Sequence, residues 1–323
     1  MEKINVAILG ASGFVGKNLM LALPSNWNVC AFYNTSKDFP DFIKEESIKA
    51  ELIKKDLSSD FKISNRYPHH FDLVISLLGN TSHISEELQP EYDLKSDSLA
   101  ITNFFKKFSC KKFIYFSSTA IYENHYQLVS AQRTTDIIPS NSYSISKLMS
   151  ERLVHYFQKK KVIDKFLIVR LSGAYGPYQR PNRLITRLIN TFHFEKGNYI
   201  ELKGTGQNWT DAMYVKDTVD FILLAAQKEF KNEIIDFCSS CFIPLKEMVD
   251  KVINATIKHF NSDLKLHVTW DNIPLKENYP FYLSNSTYKM LPPFNYKFKW
   301  NWEMGLANFR TWLSLHPEYL PKK

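Results

Sequence analysis

INVAILGASGFVGK, residues Ile4 to Lys17, decides how the rest of the chain is read. The apolar run Val6-Ala7-Ile8-Leu9 has the length of a buried strand and stops at Gly10, while Phe14, Val15, Leu19, Leu21 and Leu23 suit a helix. Strand, tight turn, helix is the expected order. Gly10, Gly13 and Gly16, three of the ten glycines in the chain, fall within seven residues of that turn. Without side chains there, a backbone can approach a pyrophosphate and a helix can pack closely on its strand. The helix N-terminus offers unpaired N–H groups and the positive end of a dipole to the phosphates. The expected dinucleotide cradle is Gly10, Ser12, Gly13, Phe14, Val15 and Gly16.

A chain of 323 residues, 44% apolar and 23% charged, can hold one large domain or two smaller ones around a sizeable core. No apolar run approaches membrane-spanning length, and the N-terminus enters a strand at once without a leader pattern, so a cytoplasmic location and no membrane partner are expected. A net charge of +8 suits nucleic acid in principle. The Lys and Arg residues are scattered, however, and Lys159-Lys160-Lys161 sits at an expected helix end, where the dipole favours cations. An anionic small molecule fits the positive field better than a nucleic acid does. Cys30 and Cys110 read as buried thiols. Cys238-Ser239-Ser240-Cys241 has the spacing of half a zinc or redox site, but no second Cys pair or spaced His pair completes it, so no metal is expected.

Asn28 to Tyr33 reads as the second strand, and an Asp or Glu at its end would accept an adenosine 2′-OH. Tyr33, Asn34, Thr35, Ser36 and Lys37 stand there instead. A carboxylate repels a 2′-phosphate, whereas hydroxyls, an amide and an ammonium bind one, so NADP(H) is expected over NAD(H), with Asn34, Ser36 and Lys37 as contacts. Further strands are expected at Glu51 to Lys55, ending at Asp56-Leu57, at Leu73 to Leu78, ending at Gly79, and at Phe113 to Phe116, ending at Ser117. A helix is expected from Asp93 to Phe108. Alternating strands and helices predict an α/β fold, a Rossmann-type doubly wound parallel sheet whose ligands sit at the carboxyl ends of the strands.

The strand at Phe113 runs into Ser117-Ser118-Thr119-Ala120-Ile121-Tyr122, and Tyr143-Ser144-Ile145-Ser146-Lys147 opens a helix continuing to about Lys159. Residues i and i+4 share a helix face, so Tyr143 and Lys147 can address one substrate atom. Here the chain resembles the extended short-chain dehydrogenase/reductase superfamily, and within it the NAD-dependent epimerase/dehydratase family of sugar-nucleotide enzymes. The glycine turn, Asp56-Leu57, the Ser118 strand, the Tyr143/Lys147 pair, Arg170, Tyr175-Gly176-Pro177 and Gly204 through Asp217 match the family's motifs in order. The resemblance implies Ser118, Tyr143 and Lys147 as catalytic residues. It also implies cofactor contacts at Asp56, Leu57, Leu78, Gly79, Ser117, Tyr143 and Lys147, and substrate contacts at Thr81, Ser118, Thr119 and Tyr143. It implies a dinucleotide-binding domain over residues 1–175 and a smaller C-terminal α/β substrate lobe over 176–323, with segments near 204–240 returning to the core. A homodimer through the helix from Tyr143 to Lys159 is a further expectation by analogy.

The chain departs from the family in several places. Thr210 and the segment Tyr279-Pro280 stand where Arg residues usually hold a nucleotide diphosphate; Arg180, Arg183 and Arg187 either replace that charge as substrate contacts or form a solvated helix face. Glu123 replaces a usual glycine. Thr119-Ala120 occupies the place of the dehydratases' Asp-Glu, which counts against elimination. Two enzyme readings follow, a keto-sugar nucleotide reductase consuming NADPH and an epimerase that retains its cofactor. A regulator that senses NADP would need the glycine turn but not the triad. The aromatic tail, from Phe294 and Tyr296 through Trp300, Trp302, Phe309 and Trp312, is expected to pack within the small lobe.

Overall fold

The computed structural model describes residues 2–79, 90–122, 128–129, 137–139, 141–207, 209–239, 243–257, 267–272, 282–283, 294 and 296–322. Thr81, Glu123, Cys241 and Tyr279-Pro280 lie outside the described residues. Seven strands form the main sheet: β1 (Ile4–Leu9), β2 (Trp27–Tyr33), β3 (Glu51–Lys54), β4 (His70–Ser76), β5 (Ser109–Ser118), β6 (Ile163–Leu171) and β7 (Glu233–Phe237). Their order is β3-β2-β1-β4-β5-β6-β7 and every pairing is parallel. The chain reverses direction across the sheet between β1 and β4, where an open α/β sheet leaves its ligand crevice.

Alternation along β1 explains the two layers. Val6 and Ile8 face one core with Leu19, Met20, Val219, Phe221 and Ile222, and Ala7 and Leu9 face the other with Ile101, Phe104, Phe105, Val154 and Phe157. The first layer is built by α1 (Phe14–Met20), α2 (Phe39–Glu45) and α7 (Val215–Gln227). The second is built by α4 (Ala100–Phe105) and α5 (Ser142–Lys159). Helix α4 continues α3 (Pro90–Leu94) through a π turn, Lys95–Leu99. Both faces are therefore covered, as a parallel sheet requires.

A third core gathers α6 (Leu184–Ile189), α8 (Leu245–Ile257) and α9 (Trp302–Leu315), with Leu188, Phe192, Val252, Phe309 and Leu313 buried among them. Two short parallel strands, Tyr199–Leu202 and His267–Trp270, lie beside it. The aromatic tail divides between cores rather than filling one lobe. Trp300, Trp302, Phe309 and Trp312 pack in the third core, but Phe294, Tyr296 and Phe298 pack in the first, around Phe221 and Phe237. The physical reason is Asp217 near the start of α7, whose carboxylate accepts from Tyr296 Oη at 2.6 Å and from the Lys299 amide at 2.8 Å, drawing the tail across the sheet.

Candidate active site

Gly10 ends β1 with φ +79°, and a Cβ there would lie 3.1 Å from the backbone of Leu77, so both conformation and space require glycine. A Cβ on Gly16 would lie 2.4 Å from the Gly10 carbonyl oxygen, which is why α1 can start so close to the strand. Gly13 caps α1 in extended conformation and supplies no side-chain hydrogen bond to the first turn of the helix. A cradle with this shape fits the pyrophosphate of a dinucleotide. Asn34 and Lys37 are exposed and Ser36 half-buried just beyond β2. The next residue, Asp38, is held by Lys17 of α1 at 2.5 Å. That hydrogen bond, above all, keeps the Asp38 carboxyl below its ordinary range. Asp56 accepts from the Ser58 amide and hydroxyl at 2.9 and 2.6 Å, and the Leu57 carbonyl accepts from Asn103 at 3.0 Å.

Helix α5 carries the Tyr–Lys pair, and a run of small hydroxyls seats it. The Asn141 side chain caps it by accepting from the Ser144 amide at 2.9 Å. Ser142 donates to Asp93, Ser146 donates to the Asp93 carbonyl at 2.9 Å, and Ser98 sits 2.9 Å from Ser150. Ser144 donates to the Ala120 carbonyl at 3.0 Å, which locks α5 to the turn after β5. On that turn the Ser118 oxygen accepts from the Ala120 amide at 3.1 Å, leaving its own proton to donate elsewhere. Thr119 is buried, with its hydroxyl 3.5 Å from the Leu171 carbonyl.

Lys147 is 3% exposed and donates to the Leu78 carbonyl at 2.7 Å, the Phe116 carbonyl at 2.8 Å and Asp97 Oδ2 at 3.1 Å. Its ammonium lies 5.8 Å from the centre of the Tyr143 ring. Gly79, at φ +136°, lets the pair approach the end of β4: a Cβ there would lie 2.9 Å from Lys147 Nζ. Tyr143, Lys147, Leu78 and Gly79 thus come together as expected neighbours.

Ser117 does something else. Its hydroxyl donates to Glu151 at 2.6 Å, and Glu151 in turn accepts a two-pronged bond from Arg170 at 3.0 and 2.8 Å. Arg170 also donates to the Tyr122 hydroxyl, which donates to Asp236 at 2.8 Å. Burial works against the Arg170 charge, but Glu151 raises its pKa overall. Asp97, Glu151 and Asp93 escaped the sequence reading. The signal was present, since Asp93 and Asp97 stand four apart on the face of a helical run that must be buried. Burial pushes the Asp97 carboxyl above the usual carboxylate range, opposed by the Lys147 charge and the Tyr115 hydroxyl.

The expected anion-binding arginines are less gathered. Arg180 and Arg187 are exposed, and Arg183 is the N-cap residue of α6. Arg187 sits in the last turn of α6, where a cation also suits the helix dipole. Cys238, the residue after β7, is buried.

A parallel Rossmann sheet with a glycine turn and a Ser, Tyr and Lys set at its carboxyl ends defines an enzyme of the extended short-chain dehydrogenase/reductase class. The chain belongs to the NAD dependent epimerase/dehydratase family, whose model matches residues 6–237. It is 25% identical to a GDP-6-deoxy-D-talose 4-dehydrogenase of Aggregatibacter actinomycetemcomitans, over 84% of this chain and 87% of that protein. It is 23% identical to a dTDP-D-glucose 4,6-dehydratase of Dictyostelium discoideum, over 78% of this chain but only 62% of that longer protein. Among solved structures it resembles UDP-glucuronic acid 4-epimerase from Bacillus cereus in complex with UDP-glucuronic acid and NAD, with a TM-score of 0.78 and 18% identity over 97% and 100% of the two chains. That likeness shows the fold.

Proposed function

We propose that the protein is an NADP(H)-dependent oxidoreductase that reduces a keto-sugar nucleotide, a 4-keto-hexose nucleotide, to its alcohol. The observation that carries this reading is the convergence of Tyr143 and Lys147 at the Gly79 strand end, on a helix that Ser144 ties to the Ser118 turn. Gly10, Ser12, Gly13, Phe14, Val15 and Gly16 would hold the pyrophosphate, Asp56 and Leu57 the adenine, and Leu78 and Gly79 the nicotinamide side. Asn34, Ser36 and Lys37 would take the 2′-phosphate, aided by Lys17, which compensates the nearby Asp38. The hydroxyl proton of Ser117 is committed to Glu151, so toward a ligand its oxygen could only accept a hydrogen bond.

A bound nicotinamide supplies hydride. Tyr143 delivers its phenolic proton to the carbonyl oxygen as that oxygen gains charge, and Ser118 donates a hydrogen bond to the same oxygen. Lys147 keeps a positive charge beside the phenol, which favours the phenolate left behind. Thr119-Ala120 offers no acid–base pair for elimination, in keeping with a reductase. Residues 176–323 would supply most of the substrate lobe, with Arg180, Arg183 and Arg187 as diphosphate contacts and Thr119 as a sugar contact; Thr81, also expected to contact substrate, lies outside the described residues. The outward side of α5 exposes Ile145, Met149 and Tyr156, which suits pairing with a second copy; light scattering at micromolar concentration should give twice the chain mass.

The test supplies a 4-keto-hexose nucleotide with NADPH and follows the absorbance of reduced nicotinamide. One NADPH oxidised per alcohol formed is the expected result. Interconversion of two hydroxyl epimers with no added cofactor and no net change in that absorbance would reject the reductase and install an epimerase that retains its cofactor.

A further inference from the structure

Three protons on Lys147 meet three acceptors: two backbone carbonyls, Leu78 and Phe116, and one carboxylate oxygen, Asp97 Oδ2. With every donor placed, this ammonium cannot reach a ribose hydroxyl until one acceptor lets go. The Leu78 carbonyl is the one beside Gly79, at the carboxyl end of β4, where open α/β sheets bind their ligands. A buried ammonium that releases a neutral carbonyl still needs a counter-charge, because an unpaired charge away from water is costly. Asp97, itself 1% exposed, is the carboxylate within ion-pair distance among the described residues.

The carboxylate is also built to follow. Oδ2 takes both Lys147 and the Tyr115 hydroxyl, the latter at 2.7 Å, while Oδ1 is buried with no hydrogen-bond partner among the described residues. An oxygen left without a partner inside a protein calls for an explanation. Here it is a second acceptor on the same side chain, so the ion pair survives a small swing of the ammonium. Asp97 reaches this place from the π turn Lys95–Leu99, an interruption of the helix of a kind that recurs at functional sites.

We propose that Asp97 is the positioning residue of the Tyr143–Lys147 pair, holding the Lys147 ammonium by charge while it exchanges a backbone carbonyl for the ribose on the nicotinamide side of the dinucleotide. The inference rests on the dinucleotide reading above. It assigns Asp97 no contact with substrate.

The test compares the wild-type protein with Asp97→Asn, which keeps shape and removes charge. Two ligands are titrated: ADP, which lacks the nicotinamide ribose, and whichever of NADH or NADPH the wild type binds more tightly. The expected result is unchanged ADP affinity, within twofold, and dinucleotide affinity weakened by about tenfold, the order of one hydrogen bond to a charged group. The melting temperature should stay within a few degrees, and turnover should fall further than binding. Equal dinucleotide affinity and turnover in the two proteins would overturn the proposal. A parallel loss of ADP and dinucleotide binding together with the melting temperature would overturn it too, since that is a folding role. If Asp97→Asn does not fold, Tyr115→Phe, which loosens the carboxylate but keeps its charge, decides. A ratio of ADP to dinucleotide affinity shifted two- to threefold from wild type supports positioning, and an unchanged ratio overturns it. A wild type that binds ADP but neither dinucleotide more tightly would instead reject the dinucleotide reading itself.

Discussion

Lys147 and Glu151 stand one turn apart on α5, both are buried, and each is half of an ion pair, yet the two pairs are built differently. Arg170 grips Glu151 with a planar fork, Ser117 adds a third bond to the carboxylate, and Tyr122 carries the network on to Asp236. Such a fork has one good geometry. Lys147 is a point charge that touches one carboxylate oxygen and fills its other donors with neutral carbonyls. A fork between two charged groups is hard to open, whereas a carbonyl can be traded for another neutral oxygen at little cost. The first pair therefore bolts β5 and β6 to α5. The second is left able to change partners, and it is the one beside Tyr143.

The largest effect should come from opening the fork. Arg170→Met leaves the Glu151 carboxylate buried without its counter-charge, only the Ser117 hydroxyl still donating to it, and the protein should lose about 3–5 kcal/mol of stability in urea denaturation. Replacing both partners, Glu151→Leu with Arg170→Met, should recover most of that loss, because apolar groups of similar size commonly substitute for a buried pair. A single variant within about 1 kcal/mol of wild type would erase the distinction between the two pairs.

Tyr143→Phe sharpens the comparison from the other side. Turnover should drop by on the order of 10² or more, since one positioned acid typically supplies that much, about 2.7 kcal/mol of barrier. Dinucleotide affinity and denaturation midpoint should hold, because the lost hydroxyl belongs to the exchangeable side of α5. Wild-type turnover in this variant would put proton transfer on another group.

What the sequence makes legible follows from what local pattern can carry. The glycine turn, the apolar strands and the Tyr143/Lys147 spacing are local, and β1 and α5 stand where the apolar run and that spacing place them, whereas α1 ends at Met20, short of the expected Leu21 and Leu23. Strand ends drift by a few residues: β4 runs from His70 to Ser76 rather than Leu73 to Leu78, because pairing with β5 begins at His70. The interruption of the expected Asp93 to Phe108 helix by a π turn is not legible, since nothing in the apolar period marks one extra residue per turn. The partners of Ser117 and Lys147 are fixed by contacts 34 and 50 residues away in sequence, which no motif spacing encodes. Asp97 was visible only as a carboxylate on a face that should be apolar, a sign of burial with a partner but not of which partner.

The smallest effect concerns a second lysine, at the other end of the cofactor cradle. Lys37 is exposed beyond β2, so its charge acts through water and should be worth about 0.2–1 kcal/mol toward a 2′-phosphate. Lys37→Ala should therefore narrow the preference for NADPH over NADH only a few-fold, read by nicotinamide fluorescence. Salt separates this lysine from Lys147. Raising ionic strength from about 0.1 to 1 M shortens the screening length from roughly 10 to 3 Å, so the NADPH preference should shrink while the penalty of Asp97→Asn, set in a buried site, should not. Lys17→Met extends the argument, because it releases Asp38 from its 2.5 Å partner and leaves a carboxylate beside Lys37. That carboxyl stays ionised at pH 7 without Lys17, because its side chain is largely exposed to water and an exposed carboxyl titrates well below neutrality. The variant should then lower NADPH affinity at neutral pH and leave NADH affinity nearly unchanged. A wild-type protein that binds NADH as tightly as NADPH would remove the 2′-phosphate from the proposed function, and a preference indifferent to salt would move its origin from exposed charge to buried contact.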